Sequence, residues 1–67
     1  MTNDELNARW RSCVVTELLA VAREHGYDEM MRRARFVAGY ASVLAVGEEL
    51  LEIADDLYVT NAVASLS

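Results

Sequence analysis

Apolar residues recur at intervals of three and four along almost the whole chain, the spacing that lines one side of an α-helix. Leu6, Trp10, Cys13, Val14, Leu18, Val21 and His25 fall on one stripe, with Val15, Leu19 and Ala22 widening it. Arg9, Ser12, Thr16 and Arg23 mark its wetter side. Thr2-Asn3-Asp4-Glu5 has the form of a capping box, in which the Thr2 hydroxyl accepts from the Glu5 amide. The pattern predicts a first helix over about 3–25, closed by Gly26.

Gly26-Tyr27 is the one strong break, and Asp28 is suited to cap a second helix. Beyond it two apolar stripes run side by side. Met30, Ala34, Val37, Ala41, Leu44, Leu51, Ala54, Tyr58 and Ala62 form one; Phe36, Tyr40, Val43, Leu50, Ile53 and Leu57 form the other. A helix apolar over so much of its circumference is buried on more than one side. The expectation is a single all-α domain over 1–67: helix 1, a loop at 26–27, and an antiparallel second helix over about 28–64.

Lengths then matter. At 1.5 Å per residue helix 1 is roughly 34 Å long, whereas an unbroken helix over 29–64 is roughly 54 Å. The overhang carries Leu57, Tyr58, Val59, Val63 and Leu66, and leaving such side chains wet forfeits ~1.5–3 kcal/mol each. Two arrangements cover them. In the first, two hairpins pair into a four-helix homodimer through Tyr40, Val43, Gly47, Leu50, Ile53, Leu57, Tyr58 and Val63. In the second, helix 2 breaks at Gly47 and the chain closes as a three-helix bundle. The flanks of Gly47 contain no Pro, Asn or second Gly, so the continuous helix is the leading expectation.

Composition adds to this picture. Apolar residues make up 54% of a chain of 67, a high share for a length that buries only roughly 60% of its unfolded surface. Self-association is the expected staple for so small a core. A single cysteine, Cys13, excludes an internal disulfide, and one Cys with one His gives no metal-ligand cluster, so no cofactor is expected. The polar, acid-containing start is unlike a signal peptide, and a cytoplasmic protein is expected.

The net charge of −5 disfavours nonspecific contact with nucleic acid or anionic lipid and suits a basic protein surface. Glu48, Glu49, Glu52, Asp55 and Asp56 are the candidate partner-binding residues. Like charges at i and i+4 cost a few tenths of a kcal/mol per pair, which a cationic partner would relieve. A helix-turn-helix transcriptional regulator with its turn at Gly47 is the alternative, but its recognition helix would present these five carboxylates to phosphates. No phosphate loop, nucleophile motif or triad is legible, which points away from an enzyme. In size and character the chain resembles small regulatory inhibitors and phage-encoded modulators of host proteins. That resemblance implies binding and masking of another protein's surface.

Overall fold

The computed structural model describes residues 2–66, in which three helices and no strand are found: α1 (Asn3–His25), α2 (Tyr27–Gly39) and α3 (Leu44–Ser65). The Thr2 hydroxyl accepts from the Glu5 amide at 3.2 Å, and Asp4 and Glu5 sit at the positive end of the α1 dipole. Gly26 alone joins α1 to α2. Its φ of 92° lies where a Cβ would be strained, and its own amide donates to the Ala22 carbonyl at 2.9 Å. Gly26 also caps α2 in place of Asp28, because its carbonyl accepts from the Met30 amide at 3.1 Å. Asp28 is thereby left to accept from the Tyr58 hydroxyl at 3.0 Å.

The continuous second helix over 28–64 does not form. The chain stops helical winding at Gly39, turns through residues 40–43, and starts again at Leu44. Gly47 is therefore not the turn: it lies inside the first turns of α3, four residues beyond the break. All-α architecture stands, with three helices per chain as in the three-helix alternative, though with the turn at 40–43 rather than at Gly47; the two-helix hairpin on which the four-helix homodimer is built is not formed. Turn hydrogen bonds replace some of the helical ones at the break. Tyr40 and Ala41 amides donate to the Val37 and Ala38 carbonyls at 3.0 and 3.2 Å, and Val46 and Gly47 amides to the Val43 carbonyl at 3.1 and 3.3 Å. Exchanging helical hydrogen bonds for turn bonds changes little, at about 1 kcal/mol net per bond. Each apolar side chain of α3 brought out of water contributes ~1.5–3 kcal/mol, and several are gained at once. Tertiary burial wins over helix continuity.

α3 runs back along α2. Leu18, Ala22, Met30, Met31, Ala34, Ile53 and Ala54 form the buried core, drawn from all three helices. Val14, Val15, Val21, Leu50, Leu51 and Leu57 pack half-buried against it, with Trp10 and Tyr27 at its edges. At 1.5 Å per residue α2 is about 20 Å long, against about 34 and 33 Å for α1 and α3, so both longer helices project past it. The molecule measures 39 × 24 × 18 Å, and its radius of gyration of 12.5 Å exceeds the roughly 11 Å typical of a globule of this length. Among the described residues, no helix is long and apolar enough to cross a membrane.

One electrostatic cluster fixes the start of α2. Glu29 accepts from Arg32 Nε at 2.8 Å and from Arg33 Nε at 3.1 Å, and also pairs with Arg32 Nη2. These hydrogen bonds lower the Glu29 pKa from 4.5 to about 2. A carboxylate depressed in the folded state contributes stability above its unfolded pKa and loses it as pH falls through the folded value. NMR titration of the Glu29 carboxyl carbon is expected to show it still ionised at pH 3, and the Glu29→Gln variant to lose the corresponding acid-side change in stability between about pH 4.5 and 2.

Candidate functional site

Two surfaces stand out. The first is apolar and borders α2. Arg33, Phe36, Val37 and Tyr40 are spaced i, i+3, i+4 and i+7, so they share one face of the helix. Val37 is 56%, Phe36 64% and Tyr40 78% exposed. The two rings lie 4.9 Å apart at 46°, a tilted pair that holds them together as one ridge. Beside this ridge the cleft between α1 and α2 forms a groove of about 390 Å³. Trp10, Val14, Leu18, Val37 and Leu50 supply its apolar walls, and Glu17 and Arg33 stand on opposite rims. Cys13, expected to pack as a small apolar group mid-stripe, is exposed and borders this groove. Val43 in the turn and Leu44 at the start of α3 are also exposed, the latter 77%.

The second surface is the acidic side of α3. Glu48, Glu52, Asp55 and Asp56 are exposed, and among the described residues none of the four forms an ion pair. Glu49 differs from them. It accepts from Arg11 Nη1 at 2.7 Å, tying α1 to α3 across the bundle. Glu52 and Asp55 border a shallow recess with Arg35 and Met31. The five candidate acids thus divide: Glu49 is occupied within the chain, Asp55 and Glu52 lean toward the α2 side, and Glu48 and Asp56 face solvent.

The residues expected at a dimer seam divide similarly. Ile53 and Gly47 are buried within the chain's own bundle, and Leu50 and Leu57 are half-buried in it. Tyr58 is exposed and donates at the surface to Asp28, whose carboxylate pushes the phenol pKa up. Tyr40, Val43 and Val63 keep broad exposed surface. Phe36, Val37 and Leu44 were not among the expected seam residues, although the i, i+3, i+4, i+7 spacing about Arg33 marks the α2 ridge in the sequence. Among the described residues, no group of three or more His, Cys, Asp or Glu could hold a metal ion.

No family model matches the chain, and neither a curated protein nor a solved structure matches it.

Proposed function

We propose that the chain is a small acidic interaction module, a regulator or inhibitor without enzymatic activity, that binds and masks the basic or mixed apolar and basic surface of another protein. One observation carries this reading. Among the described residues eleven large hydrophobic side chains are exposed, while seven hydrophobic residues make up the buried core. So large an exposed apolar share beside so small a core is the setting in which association sites are found. The exposed carboxylates of α3 select the sign of the partner: a cationic surface relieves repulsion along Glu48, Glu52 and Asp55 and is steered to them from a distance. Self-association into a homodimer belongs to the same reading, on a different face.

The test is affinity capture from a native lysate with the wild-type chain and with a Glu48→Gln, Glu52→Gln, Asp56→Asn triple variant, followed by mass spectrometry and titration of the recovered partner. The triple variant is expected to keep its helical circular dichroism and to lose at least about tenfold in affinity, with wild-type binding weakening as salt rises. Equal affinity of the two for the same partner removes the acidic face from the site.

A further inference from the structure

We propose that the turn at 40–43 is a hinge for domain exchange: when the chain folds at high concentration, α2 and α3 join into one helix, and α3 packs on the α1 and α2 of a second copy. This rests on the self-association in the reading above and is independent of the acidic face.

The residues of the turn do little to build it. Tyr40-Ala41-Ser42-Val43 contains neither Gly nor Pro, and no side chain caps α3. Tyr40 keeps near-helical dihedrals (φ −98°, ψ −1°), and Val43 is extended (φ −113°, ψ 117°), so neither is locked out of a helix. Tyr40, Val43 and Leu44 are each more than half exposed, so their packing does not hold the bend. The amides of Ser42, Val43, Leu44 and Ala45 donate to no backbone carbonyl, whereas a helix wound through the turn gives each an acceptor four residues back. Local structure therefore favours the straight form.

What bends the chain is remote, the burial of Ile53 and Ala54 with the half-burial of Leu50 and Leu57. That burial is the same whichever copy supplies α2. The two contacts that tie α3 to the other helices reform as well, Tyr58 with the partner's Asp28 and Arg11 with the partner's Glu49. Exchange thus keeps the core and adds the hinge hydrogen bonds; against it stands the cost of bringing two chains together. Docking through a short linker gives α3 an effective concentration on the order of millimolar at its own α2, so the closed chain prevails in micromolar solution and exchange competes as concentration approaches that value. Chains folded dilute and later mixed keep α3 at home, because its release opens the core.

Charge does not oppose the exchanged form. Each α2 then lies antiparallel to the partner's α3, so the two-fold axis passes the hinges and sets the segments around them side by side. Between Arg35 and Glu48 the sequence carries no charged residue, and these segments meet without like-charge repulsion in a chain of net charge −5.

Two substitutions separate the forms. Leu44 is the exposed first residue of α3, and Val43 before it has the dihedrals that a residue preceding proline adopts. Leu44→Pro therefore fits the closed chain, whereas inside a continuous helix its ring clashes with the Tyr40 carbonyl. Gly47→Ala acts in the opposite sense, because its Cβ meets the Ala38 carbonyl oxygen in the closed chain, and straightening the hinge parts them. Each protein is unfolded in urea, refolded at about 10 µM and at about 1 mM, and sized at the same concentration by sedimentation velocity. The wild type is expected to be a 7.5 kDa monomer at the lower concentration and to show a dimer at the upper. Leu44→Pro is expected to keep its helical circular dichroism and to lower the dimer fraction at least about tenfold, and Gly47→Ala to raise the association constant at least about fivefold. A wild type that stays monomeric at the upper concentration overturns the inference. A dimer that Leu44→Pro leaves intact overturns it too, and is then a surface dimer, which leaves self-association standing. If Leu44→Pro loses its helicity, Gly47→Ala decides, and an unchanged association constant overturns the inference. The acidic-face test reads partner affinity in dilute solution, where α3 stays on its own chain, so the two failures are separable.

Discussion

Met30→Ala is expected to leave the chain largely unfolded at room temperature. Met30 is fully buried at the centre of the core, between α1 and α3, with none of its surface exposed. Truncation of a buried Met costs about 2–5 kcal/mol, the sum of lost transfer energy and the cavity left behind. A single core in a domain of this size rarely supplies more than about 3–5 kcal/mol in total. The two figures are comparable, so the variant should show either a loss of helical circular dichroism or a melting temperature lower by at least about 10 °C. Met30→Leu, which conserves volume, is expected to cost less than about 1.5 kcal/mol. Protein concentration is held constant across the series, because any self-association would add to apparent stability. A Met30→Ala chain that melts with the wild type would show that the core lies elsewhere.

Gly47→Ala is expected to destabilise the chain by about 1–2 kcal/mol, although the same change inside an exposed helix stabilises by up to about 1 kcal/mol. A Cβ at position 47 would lie 2.9 Å from the Ala38 carbonyl oxygen and 3.4 Å from the Ala41 Cβ. The oxygen is backbone and accepts from the Ala41 amide in the turn, so it cannot move without disturbing the α2–α3 junction. Glycine is needed here for close approach of two helices, not for an unusual φ. Gly39→Ala is the control. It ends α2 with nothing within 4 Å of a built Cβ, so it should stabilise by a few tenths to about 1 kcal/mol. Urea unfolding of the two variants should give shifts of opposite sign. On an unbroken helix over 28–64 with position 47 open to solvent, both would stabilise.

The same two glycines show which parts of the fold are legible in the sequence. The Thr2 cap, the bounds of α1 and the Gly26 break are each local events, carried by residues whose chemistry acts within one turn. The second break is not local. Tyr40-Ala41-Ser42-Val43 contains no Pro, Gly or Asn, and Val43 caps α3 without a side-chain hydrogen bond. Only burial of Leu50, Ile53, Ala54 and Leu57 against α1 and α2 places the turn there, and that burial is a property of the folded whole. In the sequence Gly47 has the character of a turn residue, while its role as a contact point with Ala38 depends on the turn lying upstream. Gly39, one residue before the break, is the nearest sequence signal. The surplus of apolar residues is legible as a quantity. Its distribution, over Phe36 and Val37 on α2, the turn, and Val59, Val63 and Leu66 at the end of α3, depends on α3 folding back.

The acidic run is legible as well, but as a single face. Glu49 turns to Arg11 and helps to lock α1 onto α3, whereas Glu48, Glu52, Asp55 and Asp56 keep their exposed surface. A helix with its apolar side anchored in a core holds such carboxylates in fixed positions, which lowers the ordering cost of binding a cationic partner.

α3 folds back on the α2 of its own chain, and that fold-back holds the bundle together. Isotope-filtered NOE spectroscopy on a mixture of labelled and unlabelled chains separates contacts within a chain from contacts between chains. The expected result is Tyr58 ring contacts to residues 28 and 31 within one chain only. The opposite pattern, Tyr58 reaching α2 only across chains, would contradict it and restore the long continuous helix.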